Sequence, residues 1–236
     1  MINIQTLINE IVEKNNQTKT GVRDGAKFNV SDAGKCYRER FYKRLGYASV
    51  RVIDISALRK MVAGDAGHEK LQMLLRRYGK LFLSESELET EHLKGHPDGI
   101  IKTDIKLLFE IKTIEKFAME YIRKDGAKPE HELQTFTYWS LLRKELKDLD
   151  NAVLSYVKRE DFETRDFYYV WSDQIQEKVD KEWNVLINYW ETLTLPPCTC
   201  KTQYNGKGPL YCRYGIDENN CCSEKLFVEK SHENKK

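Results

Sequence analysis

Apolar residues recur along this chain at two spacings, and the switch between them marks out its elements. Ile4, Leu7, Ile8 and Ile11 stand three and four apart, which predicts a short helix over residues 2–14. A polar, glycine-containing link at 15–27 follows. VSDAGKCYRERFYKRLG predicts a helix capped by Ser31 or Asp32 and stopped at Gly46. Leu58, Met61, Val62, Leu71, Leu74 and Leu75 predict a longer helix over about 55–79, interrupted by Gly64 and Gly67 just before His68.

From residue 80 to 114 the pattern becomes that of strands: KLFLSESELETEHLKG, then HPDGII, then KLLFEIKTI, with KTDIK as the hairpin turn between the last two. Residues 115–123 and 130–147 return to helical spacing, split by KDGAKP, with Pro129 suited to a first helical turn. NAVLSYVKRE and DFYYVWS are strands. Ile175, Val179, Trp183, Leu186, Ile187 and Trp190 then share one face of a final helix capped by Ser172 or Asp173. The order predicts a mixed α/β core. After Pro196-Pro197 a cysteine-rich, turn-rich module runs to about residue 222 and closes over one side, and EKSHENKK reads as a tail. The division is a helical segment at 1–50, a core at 51–195 and the cysteine module at 196–236.

Composition narrows the class. At 236 residues, 40% hydrophobic and 11% aromatic, the chain can bury a sizeable core and is not of the disordered kind. No apolar run approaches the roughly 20 residues a membrane helix needs. The start lacks the basic and apolar regions of an export signal, so a cytoplasmic setting is expected. The net charge of +2 neither favours nor excludes a nucleic-acid partner. Locally, GKCYRERFYKRLG sets Lys35, Arg38, Arg40, Lys43 and Arg44 against a single acid, Glu39. Such a cluster is either a solvated helix face or a phosphate-contacting one.

One strand carries charge where its neighbours are apolar. Side chains two apart on a strand point the same way, so Glu110 and Lys112 share a face while Phe109 and Ile111 can enter the core. Asp98 lies on the preceding strand, where hairpin pairing can bring it beside Glu110. Two adjacent carboxylates repel unless a proton or cation lies between them, and a hard divalent ion satisfies both. The alternatives are this metal site and an ion pair across a hairpin.

HPDG followed by EIK, with eleven residues between Asp98 and Glu110, resembles the PD-(D/E)XK nuclease core and in particular its RecB-like exonuclease branch. That branch also carries a histidine on an upstream helix after a glycine, matched by Gly64 and His68, and a Gln-x-x-x-Tyr on the next helix, matched by Gln134 and Tyr138. The four motifs occur in the family's order across residues 64–138. The resemblance implies a restriction-endonuclease-like fold, a mixed central sheet flanked by helices. It implies that His68, Asp98, Glu110 and the main-chain carbonyl of Ile111 hold Mn²⁺ or Mg²⁺. Lys112 would position the attacking water, while Gln134 and Tyr138 steady the DNA or the lysine. The activity implied is a metal-dependent DNA exonuclease preferring single-stranded ends, with Arg38, Arg40, Lys43 and Arg44 guiding the strand. Recombination, phage replication or CRISPR adaptation is the setting implied, in a prokaryotic cell or phage-infected host with the protein partners of those processes. The alternative is a DNA-binding subunit of a larger complex, weak or inactive in catalysis. A zinc-stabilised structural protein is a third.

Five of the six cysteines lie between Cys198 and Cys222, the sixth being Cys36. Without an export signal, metal ligation is a better reading than disulfides. Taken locally, the cluster suits a four-cysteine zinc site. The iron–sulfur members of the RecB-like branch, the CRISPR-associated and AddB-like kinds, instead join one N-terminal cysteine to three C-terminal ones around a [4Fe-4S] cluster. That resemblance implies Cys36, Cys200, Cys212 and Cys222 as ligands, with Cys198 and Cys221 as alternates.

Overall fold

The computed structural model describes residues 3–20, 27–47, 53–83, 86–200 and 214. Its centre is the charged strand, β6 (Lys106–Ile114). This strand pairs antiparallel with β5 (Gly99–Lys102) through the turn at 103–105, and parallel with β7 (Asn151–Lys158). Short β2 (Leu81–Phe82) extends the sheet beside β5, and β8 (Thr164–Val170) extends it beside β7, giving the order β2-β5-β6-β7-β8. A parallel neighbour requires a crossover. Helices α4 (Lys116–Asp125) and α5 (Pro129–Arg143) supply it, with Pro129 in the first turn of α5 as expected.

Strand alternation divides the layers. Phe109, Ile111, Val153 and Val157 face α3 (Ile55–Arg77), meeting Leu71 and Leu75. Leu108 and Ala152 face the other way, into the main core, which holds Phe136, Tyr138 and Trp139 of α5. Ile175, Val179, Trp183 and Leu186 of α6 (Asp173–Glu191) complete that core, so the face read from the sequence is the one buried. Buried indoles need acceptors. Trp139 Nε1 donates to the Leu149 carbonyl at 2.7 Å, and Trp183 Nε1 to Thr137 Oγ1 at 2.9 Å. A second sheet, β1 (Phe28–Asn29), β4 (Leu93–Gly95) and β3 (Leu88–Glu89), has β4 in its middle. Phe28, Val30 and Ala33 enter the same core as α5 and α6. The result is a mixed sheet flanked by helices.

Three expectations change. The first helix, α1 (Ile4–Thr20), runs past residue 14, and its apolar stripe is not its packing face. Ile4 and Ile11 are 62% and 58% exposed, while Val12 is buried and Asn9 accepts a hydrogen bond from Arg59 of α3. The helix expected from Ser31 begins only at Tyr37, as α2 (Tyr37–Arg44). Asp32 is not its cap, since Cys36 holds that position; the Asp32 carboxylate is instead paired with Lys35 and Lys43. Gly34 and Gly46 adopt positive φ on either side, and Gly46 ends α2 as expected. Gly64 and Gly67 do not interrupt α3. They let it lie close on β6: a Cβ at 64 would stand 3.2 Å from Thr113 Oγ1, which donates to the Gly64 carbonyl at 3.1 Å.

Candidate active site

Asp98 sits where the Gly-His-Pro turn delivers the chain to β5. β5 pairs with β6 only as far as Gly99 and Phe109, so beyond that pair the Ile111 N–H has no ladder partner on that edge. The Asp98 carboxylate takes its place: Oδ2 accepts from Ile111 N at 2.6 Å. In an extended strand the N–H and C=O of one residue point to the same edge. The Ile111 carbonyl is therefore turned toward the side where Asp98 stands. The other Asp98 oxygen, Oδ1, lies 3.0 Å from His68 Nε2 of α3, at ion-pair distance though not in hydrogen-bond alignment.

Glu110, almost fully buried, lies on the strand face toward α5. Its Oε1 accepts from Lys112 Nζ at 2.8 Å and from Gln134 Nε2 at 2.9 Å. Gln134 Oε1 in turn accepts from Lys112 Nζ at 2.9 Å, closing a three-membered ring of polar groups. Tyr138, one turn further along α5, contacts the Gln134 carboxamide and the His96 main chain. It packs over Gly95, where a Cβ would stand 2.7 Å from the phenol ring. His68, Asp98, Glu110, Ile111, Lys112, Gln134 and Tyr138 are thus brought to one cleft of about 590 Å³.

The electrostatics follow from burial. Desolvation, reinforced by the Asp98 carboxylate, pushes the Glu110 carboxyl above its usual range despite Lys112. Burial opposes the charge on Lys112, yet Glu110 and Asp98 outweigh it and hold the ammonium above its ordinary value. Burial likewise opposes protonation of His68, and again the two carboxylates prevail. Burial and the Glu110 charge push the Tyr138 phenol upward, so it stays protonated.

Two atoms of the cleft do not balance. His68 Nε2 and Glu110 Oε2 are buried with no hydrogen-bond partner among the described residues, and only Glu110 Oε2 lacks an ion-pair contact as well. A buried carboxylate oxygen left unpaired costs at least about 1–3 kcal/mol. Two carboxylates, an imidazole and a strand carbonyl on one cleft are the oxygen-rich donor set of a Mn²⁺ or Mg²⁺ site. These residues fit a divalent ion.

Sequence reasoning missed two features. Asn29, Ser31, Lys94 and His96 line the same cleft, brought there by the pairing of β1 with β4, which two- and three-residue strands do not announce. Gln72, one turn beyond His68, is buried and donates to the Asp98 carbonyl at 3.2 Å. Its signal was available, as a lone carboxamide beside Leu71 and Leu75.

The basic helix α2 turns inward. Arg40 is 2% exposed, paired with Glu182 at 2.5 Å and stacked on Tyr37 and Trp183. Arg44, 7% exposed, lies against the rings of Phe28 and Trp190. Arg38 Nε donates to the Pro196 carbonyl at 2.8 Å, and Lys43 pairs with Asp32. The expected strand-guiding face is therefore a packing face, because four aromatic rings and two carboxylates compete for its cations.

Cys36, Cys198 and Cys200 come together, their sulfurs within 4.8 Å of one another. Cys36 and Cys200 are buried beside Tyr42 and Tyr214, and the Thr199 N–H donates to Cys36 Sγ at 3.4 Å. Cys198 is disulfide-bonded, so its sulfur is open to a metal only when reduced. Cys212, Cys221 and Cys222 lie outside the described residues.

No protein-family model and no curated protein matches the chain. Its fold is similar to that of SSO0001, with a TM-score of 0.52 at 18% identity over 91% of this chain and 96% of that one. It is equally similar to LHK-Exo in complex with dAMP, with a TM-score of 0.52 at 14% identity over 75% of this chain and 94% of that one. LHK-Exo is an alkaline exonuclease from Laribacter hongkongensis. At these identities the likeness is one of fold, and the fold is one on which an exonuclease is built.

Proposed function

We propose that this chain is a metal-dependent deoxyribonuclease of exonuclease type, with residues 51–195 as its catalytic core. The unpaired Glu110 Oε2, buried beside Asp98 and His68, carries the reading. The fold shared with an alkaline exonuclease supports it. Asp98, Glu110, His68 and the Ile111 carbonyl would hold Mn²⁺ or Mg²⁺. When bound, such an ion polarises a phosphoryl oxygen and acidifies a coordinated water.

The chain's own groups supply the rest. Lys112 keeps its proton, so it acts as a donor that orients water and offsets phosphoryl charge rather than as a base. Gln134 holds Lys112 and Glu110 in register through both ends of its carboxamide. Tyr138 closes the cleft floor over Gly95. The substrate is DNA with single-stranded ends, acted on in recombination, phage replication or CRISPR adaptation. The test is end-labelled single- and double-stranded DNA with Mn²⁺ or Mg²⁺. Wild type releases nucleotides from ends, and Glu110→Gln and Lys112→Ala each lose about 10²–10³-fold. Binding without cleavage in any metal would make the chain a DNA-binding subunit instead.

With Cys198 reduced, the cysteine trio would suit a thiolate-held metal joining α2 to the segment after Pro197. A [4Fe-4S] cluster is the cofactor implied by the iron–sulfur branch the sequence resembles. Zinc is the second reading, because sulfurs within 4.8 Å suit a single tetrahedral ion, whose Zn–S bonds of about 2.3 Å set thiolates ~3.8 Å apart. Absorbance of protein purified without oxygen separates them: a broad visible band for the cluster, none with stoichiometric zinc for the ion.

A further inference from the structure

Gln72 is among the least exposed side chains of α3, 1% accessible, in a helix whose inward neighbours Leu71 and Leu75 are apolar. An apolar residue of similar shape would fill this place without the cost of desolvating a carboxamide. The amide has a specific use. Its Nε2 donates to the main-chain carbonyl of Asp98 at 3.2 Å, and its Oε1 accepts from Arg76 at 3.4 Å. One turn earlier on the same helix, His68 Nε2 meets the Asp98 carboxylate at 3.0 Å. Residues four apart on a helix are neighbours on one face. So α3 grips Asp98 twice, by its main chain through Gln72 and by its side chain through His68, while β6 grips it a third time through Ile111 N.

We infer that Gln72 is a positioning residue for the divalent-ion site, acting through Asp98 and the spacing of His68 from the carboxylates. The inference rests on the metal reading of that cleft and adds a residue that touches neither ion nor substrate. Its chemistry is that of an outer hydrogen bond fixing a ligand's orientation, whose loss weakens metal binding by about 10–100-fold.

The comparison that tests it is Mn²⁺ affinity, measured by titration in the absence of DNA, for wild type, Gln72→Met, Thr113→Val and Glu110→Ala, each with its melting temperature. Gln72→Met keeps volume and loses the donor. Thr113→Val removes a different tie of α3 to the sheet, the bond from Thr113 to Gly64, which does not involve Asp98. The expected result is a loss of at least about tenfold in Mn²⁺ affinity for Gln72→Met, with a smaller change for Thr113→Val at equal melting temperature. Equal losses in the two variants, or an unchanged affinity in Gln72→Met while Glu110→Ala abolishes binding, overturn the inference and leave the metal reading intact. Wild type that binds no Mn²⁺ overturns both. Gln72→Leu replaces Gln72→Met if the latter does not fold.

Discussion

At the scale of single residues, buried charge is the most informative feature of this molecule. Asp32 and Glu110 are both buried carboxylates, and they differ in how they are matched. Burial raises the cost of the Asp32 charge, but Lys35 and Lys43 overcome it and hold its carboxyl well below the usual range. A depressed carboxyl adds stability above its unfolded value, about 3.9, and loses it as pH falls through the lower folded value. Asp32→Asn is therefore expected to cost about 1–2 kcal/mol at neutral pH, since Lys35 and Lys43 are only partly exposed. The cost should shrink below about pH 3.9, where the carboxyl of the unfolded chain takes up a proton that the folded one does not, and denaturant unfolding at pH 7 and pH 3 measures it. Glu110 has no such match for Oε2. Its replacement by Gln should leave the metal-free protein as stable as wild type or more so, while removing metal binding, as thermal melts with and without Mn²⁺ will read.

At the scale of elements, much was legible. The hairpin turn, the crossover helices and the buried face of α6 follow from period and punctuation alone. Asp98, Glu110, Lys112, His68, Gln134 and Tyr138 stood out as motifs and meet in one cleft. What was not legible depends on partners distant in sequence. Whether Arg40 points to solvent is decided by Glu182 and Trp183, over a hundred residues away. Gly64 and Gly67 look like helix breakers until Thr113 is seen against them. Gly95 is the same lesson on a strand, set by Tyr138 of α5. A methyl there would overlap the phenol ring, so Gly95→Ala should cost about 1–3 kcal/mol and lower activity by displacing Tyr138. Gly79→Ala is the control for stability, since nothing lies within 4 Å of a Cβ there, although its φ of +65° carries its own backbone strain.

At the scale of the whole molecule, two kinds of contact bring distant segments together. The core does it with aromatic rings: Phe28 and Phe41, from the N-terminal part, both meet Trp190 of α6 edge-on. The cysteines do it by proximity, the Cys36 sulfur lying within 4.8 Å of those of Cys198 and Cys200 after Pro197. No described helix is long and apolar enough to cross a membrane. Metal ligation energy is folding energy where the site is absent from the unfolded chain. If the proposed thiolate-held metal is bound there, Cys36→Ser should therefore lower the melting temperature of reduced protein and release that metal, while Mn²⁺ affinity at Asp98 and Glu110 stays unchanged. Elemental analysis and Mn²⁺ titration of the same preparation check both halves.

The central claim is that the lone oxygen of Glu110 marks a divalent-ion site shared with Asp98 and His68. Titration of metal-free protein with Mn²⁺ tests it most directly. One ion should bind per chain in wild type, with binding lost in Glu110→Gln and in Asp98→Asn although both remain folded. Undiminished binding in those two variants, or none in wild type, contradicts it.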